Sequence, residues 1–494
     1  MVINLLNGIL YIEKMKKYIF VLFVSFVFGG NVGIKSSLAN DTLSGIESKD
    51  IDNINAVKAE VKGNNSEPNT EKETVTMSAL DAVKLAGYLV DMGDYDQATR
   101  ILTMLPQTNN LSVEIERWYL LAQMEQKKGN IDEAIKIYRK ILDDQPDLAK
   151  VRYELAICYM MKHQWYRADY HLRLAMTGKD IPDAVKQRMM YLRYVARKNK
   201  RWNAWFNFGA APDNNVNQAS GGEEYIQNEW GEFYRVLPEP EKAIGYNLLL
   251  GGNYEFVLSD RWRWKNEGNI YTNVYNKHKF DDLFLSASTG PRYIWEKGDI
   301  WLAATGNRRW YGWDKYNWAF GGKIDTHYDW TRKISSGLTL RILDNNYDEY
   351  GEYMDGQTYG ASSYLAYSFD ASKYITLFGG IERETAKDDI YANWRYNVGV
   401  GIGAEIPWGF SIYFEPSFYW TNYDGPRWAV KHYHFQQIVE RDFMQRYSVS
   451  ISNNKIDIWG FVPTLTVSYT NKDSNIHSRE YEKWTTEFTM RQRF

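Results

Sequence analysis

Trp394–Ile406 reads WRYNVGVGIGAEI, and its two alternating sets of side chains decide the fold. Trp394, Tyr396, Val398, Val400, Ile402, Ala404 and Ile406 fall on one face. Arg395, Asn397, Gly399, Gly401, Gly403 and Glu405 fall on the other. A period of two predicts a strand with one greasy and one polar side. Phe410–Thr421 repeats the pattern, with Phe410, Ile412, Phe414, Pro416, Phe418 and Trp420 against Ser411, Tyr413, Glu415, Ser417, Tyr419 and Thr421. Phe461–Thr470 does so again. Each stretch runs about ten residues or more, enough to cross a bilayer at a tilt, and longer than the usual strand of a soluble sandwich.

Composition points the same way. The 494 residues include 19 Trp, 38 Tyr and 21 Phe, yet mean hydropathy is only −0.53. A barrel with an apolar outer face, a polar lumen and rings at both interfaces has this composition. Brief turns such as SDR, EKGD, TRK, DASK and PWG take turns with longer polar loops such as HKFDD, DEYGEYMDG and TAKDD. The pattern predicts about fourteen antiparallel transmembrane strands over 201–494, closed because no backbone amide in lipid is left without a partner. WNAWFNFGAA is the expected first strand, with PDNNVNQAS opening an outer loop that runs to about Ala243. The chain ends EYEKWTTEFTMRQRF, where Trp484, Phe488, Met490 and Phe494 share one face. A last strand ending in Phe494 resembles the signal read by the bacterial barrel-assembly machinery.

The N-terminal part differs. Lys16 and Lys17 precede the apolar run YIFVLFVSFVF, and SSLA ends at Ala39. This predicts a signal peptide over 1–39, cleaved after Ala39, with Met15 a candidate start. Residues 40–76 are polar and charged, the composition of a disordered linker. Over 77–200 the apolar period is helical. Leu121, Ala122, Ala134 and Ile141 recur 34 residues later as Leu155, Ala156, Ala168 and Ala175. That period resembles the tetratricopeptide repeat and predicts a short α-helical solenoid that binds peptides or proteins.

Several functions lose ground on composition. A net charge of −3 gives no nucleic-acid footprint. The single Cys158 excludes an internal disulfide, and its setting LAICYM is that of a small core residue. His432 and His434 in KHYHF read as a solvated loop or strand end, and Glu382–Asp389 (ERETAKDD) as an outer loop. No Gly-rich phosphate loop is found. No enzyme and no cofactor or metal is expected. Arg292, Arg341, Arg395, Glu405, Glu415, Arg491 and Arg493 fall on polar strand faces and read as lumen charges that pair across the barrel.

Signal peptide, repeats and barrel together resemble the surface lipoprotein assembly modulators (the Slam family, type XI secretion). The likeness covers Met77 to Phe494. It is carried by KNKRW leading into FGAAPDNNVNQAS, and by GFVPTLTVSYTNKDSNIHSREYEKW. The matching positions are Pro212, Asp213, Asn215 and Asn217; Gly460, Phe461 and Pro463; and Ser474, Asn475 and Ile476, all of which look architectural. The resemblance implies an outer-membrane translocon for surface lipoproteins or related secreted proteins, with the repeats in the periplasm. Its partners would be the client, a periplasmic chaperone, the barrel-assembly machinery and outer-membrane lipid. Client-binding residues are not readable. Two other readings fit the same layout. One is an exopolysaccharide export porin. The other is a surface receptor or adhesin using the first loop and YDGPRWAVKHYHFQQIVERDF.

Overall fold

A computed structural model describes residues 77–106, 110–178, 181–228, 231–456, 458 and 461–492. The expected signal segment with Met15 and Ala39, the expected linker, Gly460, Arg493 and Phe494 lie outside the described residues, as do the side chains of Arg491 and Gln492. The chain forms two compact units that divide after Arg117.

The first unit holds α1 (Ala79–Asp91), α2 (Tyr95–Met104) and the opening of α3 (Leu111–Lys128). Ser78 and Asp94 cap α1 and α2, each accepting a backbone N–H of the first turn. Ala86 and Ala98 are fully buried in this pair.

The second unit continues with the rest of α3, then α4 (Ile131–Asp144), α5 (Ala149–Met161), α6 (Trp165–Ala175) and α7 (Asp183–Asn199). Gly129, at φ +87°, turns the chain from α3 into α4. Ala134, Ile135, Tyr138, Ile141 and Leu142 form the buried stripe of α4. Ala122, Ala134, Ala156 and Ala168, the positions of the recurrence, are fully buried. A cluster of Ala156, Leu172, Ala175, Met176 and Met189 joins α5, α6 and α7. Cys158 is buried in α5, and burial pushes its thiol up to about 12.

Sixteen strands follow among the described residues. They are β1 (Trp202–Asp213), β2 (Glu223–Asn228), β3 (Gly231–Val236), β4 (Ala243–Val257), β5 (Trp262–Tyr275), β6 (Asp282–Trp295), β7 (Gly298–Tyr311) and β8 (Asp314–Asp329). Then come β9 (Ile334–Tyr347), β10 (Gly356–Ser368), β11 (Lys373–Glu384), β12 (Asn393–Ile406), β13 (Phe410–Lys431), β14 (His434–Asn453), β15 (Phe461–Ser474) and β16 (Tyr481–Gln492). All but β2 and β3 close into one antiparallel barrel of fourteen, sealed where β1 meets β16. No described helix is long and apolar enough to cross a membrane.

The outer face sorts by height. Leu250, Ile270, Leu302, Phe320, Leu340, Leu377 and Val398 form an exposed apolar band. Trp202, Tyr254, Trp262, Trp330 and Trp408 ring the end nearer the helices, and Tyr246, Trp318, Tyr359, Trp394 and Trp484 ring the far end. Two aromatic girdles around an aliphatic band are the outer surface of a membrane barrel. The inner face of β12 explains its glycines. A β-carbon at Gly399, Gly401 or Gly403 would collide with Phe378, Tyr413 or Tyr374, whose rings lie over them.

Four expectations change. The first strand runs through Pro212 to Asp213, two residues past its expected end. The first far-end loop contains the β2–β3 hairpin. YDGPRWAVKHYHFQQIVERDF is paired strand, because β13 and β14 zip as far as Lys431 and His434. Gly425 and Pro426 sit at a register shift between Asn422 and Pro426, where a bulge tolerates a missing donor. Turn lengths alternate less strictly than expected, since Gly312–Trp313 makes a two-residue far-end turn.

Candidate functional site: the helix-filled mouth of the barrel

The barrel end from which β1 starts is occupied by α4–α7. On one wall, Glu405 near the end of β12 takes Arg152 Nη2 at 2.6 Å and the Tyr170 hydroxyl at 2.9 Å. Arg152 is 1% exposed, and its Nε and Nη2 also donate to Pro146 O, so the guanidinium is held by α5's own approach turn. On a second wall, Asp329 closing β8 accepts Arg193 Nη1 at 3.1 Å and bonds Arg197 Nη2. On a third, the Tyr166 hydroxyl exchanges hydrogen bonds with Asn253 of β4. In ring order β4, β8 and β12 divide the fourteen strands into arcs of four, four and six. Lys455, in the β14–β15 turn, reaches Asp144 of α4 at 2.7 Å within the widest arc. The helices are therefore pinned around the whole mouth.

Charge is dense and paired here. Asp169 on α6 receives Arg193 Nε at 3.1 Å and Lys200 Nζ at 3.4 Å. Burial acts to raise its pKa, but Arg193, Lys200 and Arg197 win and hold the carboxyl well below the usual range. Burial pushes Lys200 down against the pull of Asp169. Burial and Glu405 together push the Tyr170 phenol up. The wall beside Lys200 continues the network, with Arg292 on Glu255 at 2.6 Å and on Asp299 at 3.0 Å. KNKRW is the hinge of this arrangement: Lys198 pairs with Asp260, and Arg201 O accepts the Glu255 amide at 2.6 Å.

Of the expected lumen charges, Arg292, Arg341, Arg395, Glu405 and Glu415 have partners, while Arg493 and the Arg491 side chain lie outside the described residues. Arg341 pairs with Glu382, and Arg395 bridges Glu382 and Glu384. Glu415 accepts the Tyr413 hydroxyl at 2.9 Å. Glu405 differs, because its partners come from helices. The residues that sequence reasoning missed are Arg152, Asp169, Arg193, Arg197 and Asp329. A signal was present: Arg193 and Arg197 stand one turn apart, in line with buried Met189 and Ala196, where a core face should be apolar.

The family-motif positions gather at the seam and the far rim. Asp213 pairs with Lys483 at 2.6 Å across the β1–β16 closure. Asn214 Oδ1 accepts the Trp484 amide, and Asn215 Nδ2 donates to Glu482 O at 3.0 Å. Asn215 also binds Ala219 through both ends of its amide. Asn217 bonds Glu239 O and Glu241 N. Pro212, without an N–H, sits where the seam register lapses between Ala210 and Asp213. Asn475 ties to Arg441 N and Val439 O, Ser474 receives the Ile476 amide, and Ile476 packs with Ala429 and Ile438. Phe461 and Pro463 open β15, and the Phe461 ring meets Phe206 across β16 at 6.0 Å. His434 Nδ1 meets Gln227 O at 2.9 Å at the tip of the β13–β14 hairpin, next to His432. Glu382 and Glu384 end β11.

The chain is similar to known proteins. Surface lipoprotein assembly modifier 1 of Neisseria meningitidis serogroup B is 25% identical over 386 residues, 74% of this chain and 73% of that protein. Surface lipoprotein assembly modifier of Pasteurella multocida is 22% identical, over 73% of each. Among solved structures, the outer membrane channel DcaP of Acinetobacter baumannii aligns with TM-score 0.36 and 8% identity, over 59% of this chain and 96% of that one. Residues 202–494 match the family model described as surface lipoprotein assembly modifier, and the chain belongs to that family.

Proposed function

We propose that this chain works in the outer membrane in the assembly of surface lipoproteins, as a translocon. Its helices face the periplasm and receive a client or its chaperone, and the barrel hands the client to the surface. The family and the girdled barrel support the outer-membrane role. One observation carries the finer reading: α4–α7 are pinned into the mouth by ion pairs. A receiving domain set at the entrance couples arrival of a client to opening of the path. No step in this reading is catalytic. Folding of the client outside would supply the driving free energy, because a folded domain gains about 5–15 kcal/mol. The barrel-assembly machinery would insert the chain itself.

The test is co-expression with a candidate surface lipoprotein, followed by surface protease accessibility with and without this chain. More of the client should be exposed in its presence. Equal exposure in both strains defeats the translocon reading.

A further inference from the structure

The β2–β3 hairpin stands at the far end of the barrel, and its two edges differ. Its register runs from Glu223↔Val236 to Asn228↔Gly231, in a sheet of two strands. Asn228 and Gly231 bracket two residues, the spacing at which they form a hydrogen-bonded pair. Ile226–Phe233 and Glu224–Arg235 are then bonded too, and the Leu237 amide donating to Gly222 O at 2.9 Å continues the series. The residues between them turn their amides outward. On β2 that edge is taken: the Gln227 amide donates to Tyr433 O at 2.6 Å, and Tyr225 meets the Tyr433 ring at 5.1 Å. On β3 the edge of Glu232, Tyr234 and Val236 has no backbone partner among the described residues.

Such an edge is normally blunted by charged side chains, Lys above all, by Pro or by a bulge. Gly231–Val236 has no Lys, Pro or bulge, its charges are Glu232 and Arg235, and all six residues are exposed, Tyr234 at 65% and Val236 at 69%. We infer that β3 is a docking edge that takes an extended, basic segment of another polypeptide as a third strand. The backbone geometry asks for an extended occupant. Charge selects its sign: residues 214–242 carry six Glu against Arg235 and Lys242, and with Lys277 and Lys279, which pair with Glu241, the balance is 4 − 6 = −2. A second copy would bring the same negative charge and be repelled. The inference rests on the proposed function only for the occupant's origin, a client strand emerging at this end.

The test uses the full chain in detergent micelles and a labelled ten-residue peptide of alternating Lys and Val. Fluorescence anisotropy should show binding that weakens with salt. Binding should fall at least tenfold when the peptide's alternate amides are N-methylated. It should fall likewise in a Tyr234→Lys/Val236→Lys variant, which guards the edge while leaving the β2–β3 pairs intact. Equal binding by the N-methylated peptide overturns the inference, because side-chain charge alone would then account for it. So does cross-linking of Tyr234→Cys between two copies, which makes the edge a self-association site. Loss of client display in cells with peptide binding intact counts against the translocon reading and leaves the edge standing.

Discussion

Arg152 and Glu405 lie 253 residues apart in the chain and meet at 2.6 Å, one on a helix and one on the inner wall of the barrel. Arg152 is the more buried partner, at 1% exposed against 20% for the Glu405 side chain. Arg152→Met should therefore leave a poorly solvated carboxylate beside Tyr170, costing about 3 kcal/mol. The Glu405→Gln change in the same background should restore part of that loss, since the two sites share one interaction. Denaturant unfolding of the helical part in micelles, followed by circular dichroism at the helix band, reads both numbers. Additive effects would mean that the pair does not couple.

Asp329 carries the second wall. With Asp329→Asn, Arg193 and Arg197 lose their shared carboxylate while both remain buried. Hydrogen exchange in α7 should speed up by one to two orders of magnitude, following a loss of about 2–3 kcal/mol. Arg332→Ala nearby, where the pair with Asp183 is exposed, should change exchange little.

Acid should release the helices late. The Asp169 carboxyl is held below its ordinary range, so the stability it lends is complete above the unfolded value of about 3.9 and is lost as pH falls below that toward the folded value. A nitroxide on Met190→Cys, an exposed position of α7, should keep constant mobility from about pH 8 to 5 and loosen only below about pH 4. Loosening already at about pH 6 would remove Asp169 from the account.

The seam makes a separate prediction. Asn215→Ala removes the bond to Glu482 O and both bonds to Ala219, so the β1–β16 closure loses one of its far-end ties. About 1–3 kcal/mol is at stake for the groups left unpaired. The variant barrel should convert to its slow-migrating unfolded form on a detergent gel at a temperature several degrees lower. Asn346→Ala, whose side chain donates to Asp344 on its own strand, should migrate as the parent does.

How much of this was legible in the residues follows from what each kind of pattern records. Trp394–Ile406 announces its strand because lipid and lumen impose opposite demands on neighbouring side chains. Ala134 and Ala168 announce close helix packing for a similar reason, since nothing larger fits. The β13–β14 extension was hidden because Gly425 and Pro426 speak of local backbone freedom, while cross-strand pairing decides the outcome. The mouth was hidden because Asp169 and Asp329 look like ordinary solvated charges until the fold sets two arginines between them. Only the arginines' place on an apolar stripe gave a hint.

The pins around the mouth are unequal, and that gives any withdrawal of the helices a direction. Lys455–Asp144 is partly exposed, 44% and 21%, and such pairs are worth under about 1 kcal/mol. The knot of Arg193, Arg197 and Asp329 is buried and costly to part. A pull from the N-terminal side thus unfastens α4 first and strains α7 last, as a stitched seam runs from its loose thread. The segment that joins α7 to the first strand is the final tether, so helices whose pins had parted would still be held to the barrel wall.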